Sequence, residues 1–290
     1  MSATALPSED AAPARIPPAL RAHSRLTLEA RTLGARTVTG AVTEAGHARV
    51  RFPRSGRRTG ALEAVLLNTG GGIAGGDTLA HAVTVRPGAR LVVTSQAAEK
   101  VYRSDGSEAE LHVGLTVEAG ARMDWMPQPT ILFDAARVVR SIAAEVAADA
   151  RLLILEQVIL GRTARGETFE RGRLRDQWRV RRAGRLIYAD GLDLGHDAGA
   201  TLRRPAVAAG WPAFATVLLV APDAEARLEA VRAALGLPDA LPADLEAGAS
   251  AWDGMLSVRL LARHGAALEG AVRRLMGELG LAETPRIWHS

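Results

Sequence analysis

Val83-Thr-Val-Arg-Pro-Gly-Ala-Arg-Leu91 returns as Leu115-Thr-Val-Glu-Ala-Gly-Ala-Arg-Met123 and, more weakly, as Ala144-Glu-Val-Ala-Ala-Asp-Ala-Arg-Leu152. Each copy reads as strand, tight turn, strand. Gly88, Gly120 and Asp149 hold the turn position where a positive φ is often required. A short apolar strand follows each copy and ends near a glutamine: Gln96, Gln128 and Gln157. A strand unit that recurs this way cannot bury its apolar face alone. Stacking on its neighbours buries it. The expectation is a mainly β fold: an elongated, layered, β-helix-like body of stacked strands.

The flanking sequence agrees. Leu79, His81, Val83 and Val85 alternate with Ala80, Ala82 and Thr84, and Leu111, Val113, Leu115 and Val117 alternate likewise. That is the half-buried strand pattern. Helical spacing appears only late, near 223–236 and 266–280. There, acidic or apolar-periodic starts are closed by Gly236 with Pro238, and by Gly280. The helical part is therefore small and C-terminal, within a single domain spanning 25–290. Residues 1–24 are rich in Ala and Pro and lack the basic start and apolar core of a signal peptide. They read as a disordered tail on a cytoplasmic protein. The other end closes on Pro285-Arg-Ile-Trp288, too apolar for a free tail, so it is expected to dock on the body or a partner.

Composition excludes several chemistries. The chain of 290 residues has no cysteine, so disulfides, thiolate metal cages and thiol nucleophiles are out. No run of about twenty uncharged apolar residues suggests a membrane helix. Net charge is only +4, and Lys100 is the single lysine.

Four segments could carry chemistry. Gly70, Gly72 and Gly75 match the dinucleotide fingerprint, but a period-2 strand follows where a helix is required. The glycines instead demand sharp bending or close backbone approach, with Asp77 ligating a metal or closing a turn. Lys100 could act as a base if buried, yet no histidine or carboxylate pair completes a site around it. Residues 162–185 hold nine arginines against Glu167, Glu170 and Asp176. This cluster could touch nucleic acid, but only Phe169 and Trp178 are present to stack on bases, so a solvated or protein-binding face is favoured. Asp190, Asp193, His196 and Asp197 could offer oxygen ligands, in a spacing that fits no known cation loop.

Taken in order, the segments resemble the UreD (UreH) family of urease accessory proteins. The resemblance rests on Asn68-Thr-Gly-Gly-Gly-Ile-Ala-Gly-Gly-Asp77, Thr94-Ser-Gln-Ala-Ala-Glu-Lys-Val-Tyr-Arg103 and Met126-Pro-Gln-Pro-Thr-Ile-Leu-Phe133. It continues through Glu156, Gly161-Arg162 and Gly166-Glu167 to Pro285-Arg-Ile-Trp288. Where many members carry a proline near the first glycines, Asn68-Thr69 stands here. The resemblance implies a non-enzymatic scaffold of β-helix-like fold. Its partners would be apo-urease and accessory proteins of the UreF type and the UreG type, the latter a GTPase that delivers nickel. No cofactor is implied as permanently bound; nickel would be in transit. Carboxylates suit such transit, because tighter cages would retain the ion. Asp77, Glu156, Glu167 and Asp190 are the candidates to line its path, and the C-terminal helices and Trp288 the candidates for partner docking. A nucleic-acid-binding β protein and an enzyme using Lys100 or the Asp190 loop remain the alternatives.

Overall fold

The computed structural model describes residue 17 and residues 20–53, 60–281 and 284–288. The chain opens with β1 (His23–Leu33), β2 (Arg36–Ala45), β3 (Ala48–Arg51) and β4 (Leu62–Asn68). The repeat region supplies β5 (Thr78–Val85), β6 (Arg90–Ser95), β7 (Glu99–Val101), β8 (Ala109–Val117), β9 (Arg122–Trp125), β10 (Thr130–Leu132), β11 (Arg137–Val146) and β12 (Arg151–Leu160). Then come β13 (Arg173–Arg182), β14 (Arg185–Leu194), α1 (Ala198–Leu202), β15 (Ala213–Val220), α2 (Leu228–Leu235), β16 (Leu245–Trp252), β17 (Met255–Ala262) and α3 (Gly265–Glu278).

Two sheets face each other. The first runs β14-β13-β11-β8-β5-β1-β2, and the second β16-β17-β15-β12-β9-β6-β4-β3, with β10 beside β12 and β7 beside β10. The repeat explains them. Val83 pairs with Leu115 and Leu115 with Ala144 in the first sheet. Leu91 pairs with Met123 and Met123 with Leu152 in the second. Equivalent residues of the three copies thus lie side by side in parallel ladders. The two strands of one copy do not pair with each other; the turn carries the chain from one sheet to the other, and each strand pairs with its counterpart in the next coil. This is the stacked, β-helix-like body read from the repeat.

The shared Ala-Arg now has a physical reason. Ala89, Ala121 and Ala150 sit at the corner between the sheets and are fully enclosed, so only a methyl group fits. Gly88 and Gly120 take φ of +69° and +63°, whereas Asp149 closes the third turn without entering that region. The inward side of every rung fills one core, including Leu28, Val83, Leu115, Ile142, Ile154 and Trp178.

A second core covers the outer face of the second sheet, where Leu153, Leu155, Val217 and Leu260 meet Val231 of α2 and Leu268, Val272 and Leu275 of α3. Two of the three repeat arginines, together with Arg227, fasten this layer. Arg122 donates to the Gly280 carbonyl, Arg151 to the Leu279 and Gly280 carbonyls, and Arg227 to the Glu278 carbonyl at 3.0 Å. These carbonyls lie at the C-terminal end of α3, where the helix dipole favours cations. Burial, with Arg122 nearby, lowers the Arg151 pKa to about 10. Arg151→Met is expected to cost about 1.5–3 kcal/mol, the range for hydrogen bonds made by a charged group, read as a lower urea midpoint. Beyond the helix, Trp288 is buried and its Nε1 donates to Thr94 Oγ1 at 3.3 Å. The C-terminal segment docks on the body itself.

The stretch read as a tail lies mostly outside the described residues. Its last part differs from that reading: β1 already begins at His23, and Arg21 forms a buried ion pair with Asp105. Ala and Pro composition gave no hint of a partner so distant in sequence.

Candidate functional site

Each rung crosses back between the sheets through a long loop, opposite the tight turns. The glycine run is the first such crossing. Ile73 N donates to the Lys100 carbonyl at 2.8 Å and Tyr102 N to the Ile73 carbonyl at 2.9 Å, so the loop is laid backbone to backbone on its neighbour. A Cβ on Gly72 would stand 2.4 Å from the Tyr102 ring. Close approach, not phosphate binding, is what the glycines serve.

At this loop end a cavity of about 230 Å³ opens between the sheets. Its polar wall includes Asn68, His81, Glu99, Trp125, Arg140 and Glu156. His81 points inward from β5, its ring 6.1 Å from that of Trp125. Glu99 accepts from Asn68 Nδ2 at 3.2 Å, and burial pushes its carboxyl upward. Glu156 is buried and fully engaged: Oε1 accepts from Trp125 Nε1 at 2.8 Å and Oε2 from Arg140 Nη1 at 2.7 Å. Arg140 also pairs with Asp176. Burial raises the Glu156 pKa against the pull of Arg140 and Trp125. Burial alone would lower Arg140, but Asp176 and Glu156 hold it above its ordinary value.

The polar groups continue across the second sheet. Glu156 pairs in register with Thr216, and Thr216 with Arg259. Arg259 donates to Thr216 Oγ1 at 3.1 Å and forms an ion pair with Asp190 of β14. A row of polar side chains thus connects the cavity wall with the edge where the two sheets meet.

Of the four carboxylates named from the sequence, Glu156 lines the cavity and Asp190 ends the polar row. Asp77 and Glu167 lie in crossing loops. Asp77 accepts from Ala22 N and Ala74 N, each at 2.8 Å, so both its oxygens pin backbone. Glu167 accepts from Asp134 N at 3.1 Å and pairs with Arg162. Although burial opposes it, the hydrogen bonds from Arg162 hold the Glu167 carboxyl below its ordinary pKa. Among the described residues, no three His, Asp or Glu side chains converge to hold a metal ion. Asp193 turns to Arg173, while His196 and Asp197 pair with each other in solvent. Lys100 is exposed. In the arginine cluster, Phe169 and Trp178 are buried core residues and present no ring to a base. Arg162, Arg171, Arg173 and Arg181 meet carboxylates.

His81, Glu99, Arg140 and Asp176 were not singled out as site residues from the sequence. One signal could have found three of them: a charged or titratable residue at the inward parity of a strand. Arg140 alternates with Val138 and Ile142, Asp176 with Leu174 and Trp178, and His81 with Leu79 and Val83.

His81 carries a pH prediction. Its imidazole is half-buried by surface area but enclosed by protein, and desolvation lowers its pKa from 6.5 to about 4. Between those values the unfolded chain binds the extra proton, so stability rises with pH across this window. As pH falls from 6.5 through 4, about 3 kcal/mol is expected to be lost from this group. Urea midpoints at pH 7 and pH 4.5 are expected to differ less in His81→Asn than in the unaltered chain.

The fold and site define a class: a two-sheet β-solenoid with a carboxylate-bearing inner cavity and a helical layer on one outer face. Comparison with known proteins is consistent with this. The family model described as UreD urease accessory protein matches residues 21–289. The chain is 49% identical over 249 residues to urease accessory protein UreD 3 of Methylorubrum extorquens (strain PA1), covering 86% of this chain and 82% of that protein. It is 48% identical over 268 residues to urease accessory protein UreD of Xanthobacter autotrophicus (strain ATCC BAA-1158 / Py2), covering 92% and 90%. The protein belongs to the UreD family of urease accessory proteins. The names of these relatives describe accessory proteins, which fits a non-catalytic role. No described helix is long and apolar enough to cross a membrane.

Proposed function

We propose that this chain is a maturation scaffold that binds apo-urease together with UreF-type and UreG-type accessory proteins and guides nickel into the urease active site. Nickel is cargo here, not a resident cofactor. The observation that carries the reading is the cavity between the sheets, walled by Glu156 and Glu99 and continued by a polar row to Asp190. A desolvated wall with few carboxylates attracts a divalent cation without enclosing it in the full ligand set that would retain it. Asp77 and Glu167 do not line the cavity; they hold backbone amides of the crossing loops. The relatives' names, all urease accessory proteins, support the same assignment.

The test is reconstitution. The tagged chain, co-expressed with apo-urease and the other accessory proteins, is expected to recover urease on purification. It is also expected to be required for nickel-dependent urease activity. Recovery of full activity without this chain would overturn the scaffold reading.

A further inference from the structure

Arg140 and Glu156 line the cavity, Asp176 pairs with Arg140 from β13, and the three charges do not cancel. Arg140 faces two carboxylates, Glu156 and Asp176, and all three residues are more than nine-tenths buried, at 5%, 7% and 7% exposure. Their hydrogen bonding is also incomplete at one place. Arg140 uses Nη1 on Glu156 and Nη2 on Asp176 Oδ2, leaving Arg140 Nε and Asp176 Oδ1 buried without a partner. A guanidinium binds a carboxylate best through two parallel N–H donors, and the Nε–Nη2 edge is one such fork. Both orphaned atoms belong to the same pair. Turning the guanidinium off Glu156 and squarely onto Asp176 would satisfy both at once.

We propose that Arg140 is a displaceable counter-ion for Glu156, and that Asp176 is the seat to which it withdraws when a divalent cation reaches the cavity wall. This rests on the reading of the cavity as a nickel route. A buried carboxylate left alone is costly, so Glu156 needs a cation at all times. Arg140 is that cation while the route is empty. When nickel arrives, Arg140 and Asp176 become a neutral bidentate pair, and Glu156 Oε2 is free to ligate. When nickel leaves, Arg140 returns. The exchange lets the wall bind the ion without storing it, and it makes Arg140 and Asp176 positioning residues that act through Glu156.

The experiment uses the full-length chain with nickel(II) in equilibrium dialysis, and the reconstituted urease assay in parallel. Arg140→Gln removes the competitor, so nickel retention is expected to rise about tenfold or more, with slower transfer to urease. Arg140→Lys is expected to return retention toward that of the unaltered chain. Asp176→Asn is isosteric and leaves Arg140 and Glu156 as a balanced pair. It is expected to hold its fold and to bind nickel more weakly, because Arg140 has nowhere to go. A merely structural role could not raise retention in one variant and lower it in the other. Should Arg140→Gln fail to fold, Asp176→Asn alone decides. If both bind nickel as the unaltered chain does while Glu156→Gln abolishes activation, the counter-ion idea is overturned and the route stands. If Glu156→Gln also leaves activation unchanged, the route itself fails, and the counter-ion idea with it.

Discussion

Glu156→Gln is expected to lower nickel-dependent urease activation about tenfold or more, equivalent to ~1.4 kcal/mol on the transfer barrier, while leaving the accessory complex assembled. The substitution is nearly isosteric, and the amide oxygen still accepts from Trp125 Nε1. What it removes is the negative charge at the cavity wall. Arg140 then neutralises Asp176 alone, and the cluster no longer favours a cation. The other three carboxylates are expected to behave differently, because each of them holds a backbone amide, whereas Glu156 meets only side chains. Asp77→Asn and Glu167→Gln orphan a backbone amide or weaken the pairing with Arg162, so they shift the thermal midpoint before they affect transfer. Asp190→Asn releases Arg259 at a partly exposed edge and is expected to have a smaller effect than Glu156→Gln. The check is urease activity per recovered complex across the four variants. Equal loss in all four would mean the cavity wall has no special part in the transfer.

Trp125→Ala is expected to be among the most destabilising single substitutions in the molecule. The indole is 2% exposed and sits in the core between the sheets. Truncating a buried tryptophan costs roughly 3–5 kcal/mol through lost burial and the void left behind. Here the void merges with the existing cavity, and Glu156 loses its Nε1 donor, adding the cost of an unpaired buried acceptor. Trp125→Phe separates the two effects. It keeps most of the ring volume and loses only the donor, so a cost of about 1–3 kcal/mol is expected. Urea unfolding of both variants gives the comparison. A Phe variant as unstable as the Ala variant would place the whole effect in the hydrogen bond to Glu156.

These two residues also divide what could be read in advance from what could not. Glu156 was legible because it stands in a family motif, and its position between Ile154 and Val158 puts it on the inward side of a strand. Arg140 and Asp176 sit at the same parity in β11 and β13 but belong to no quoted motif. Period-2 alternation says which way a side chain points, and not what lies opposite. The arginine cluster illustrates the same limit from the other side. Nine arginines in 24 residues read as a basic face, yet several are neutralised by Glu108, Asp134 and Glu145, which come from other coils.

The repeat, the strand period, the corner alanines, the late helices and the family are all legible in the residues alone. Each of these is a local pattern: a turn residue, a two-residue alternation or a motif carries its meaning within a few neighbours. Which charges meet depends on how the coils stack. Trp125, Arg140, Glu156 and Asp176 come from four strands in two sheets, brought together by stacking successive coils at a fixed register. Charge compensation acts over a few ångströms in space regardless of separation along the chain, so a sequence can present the ions without naming their partners.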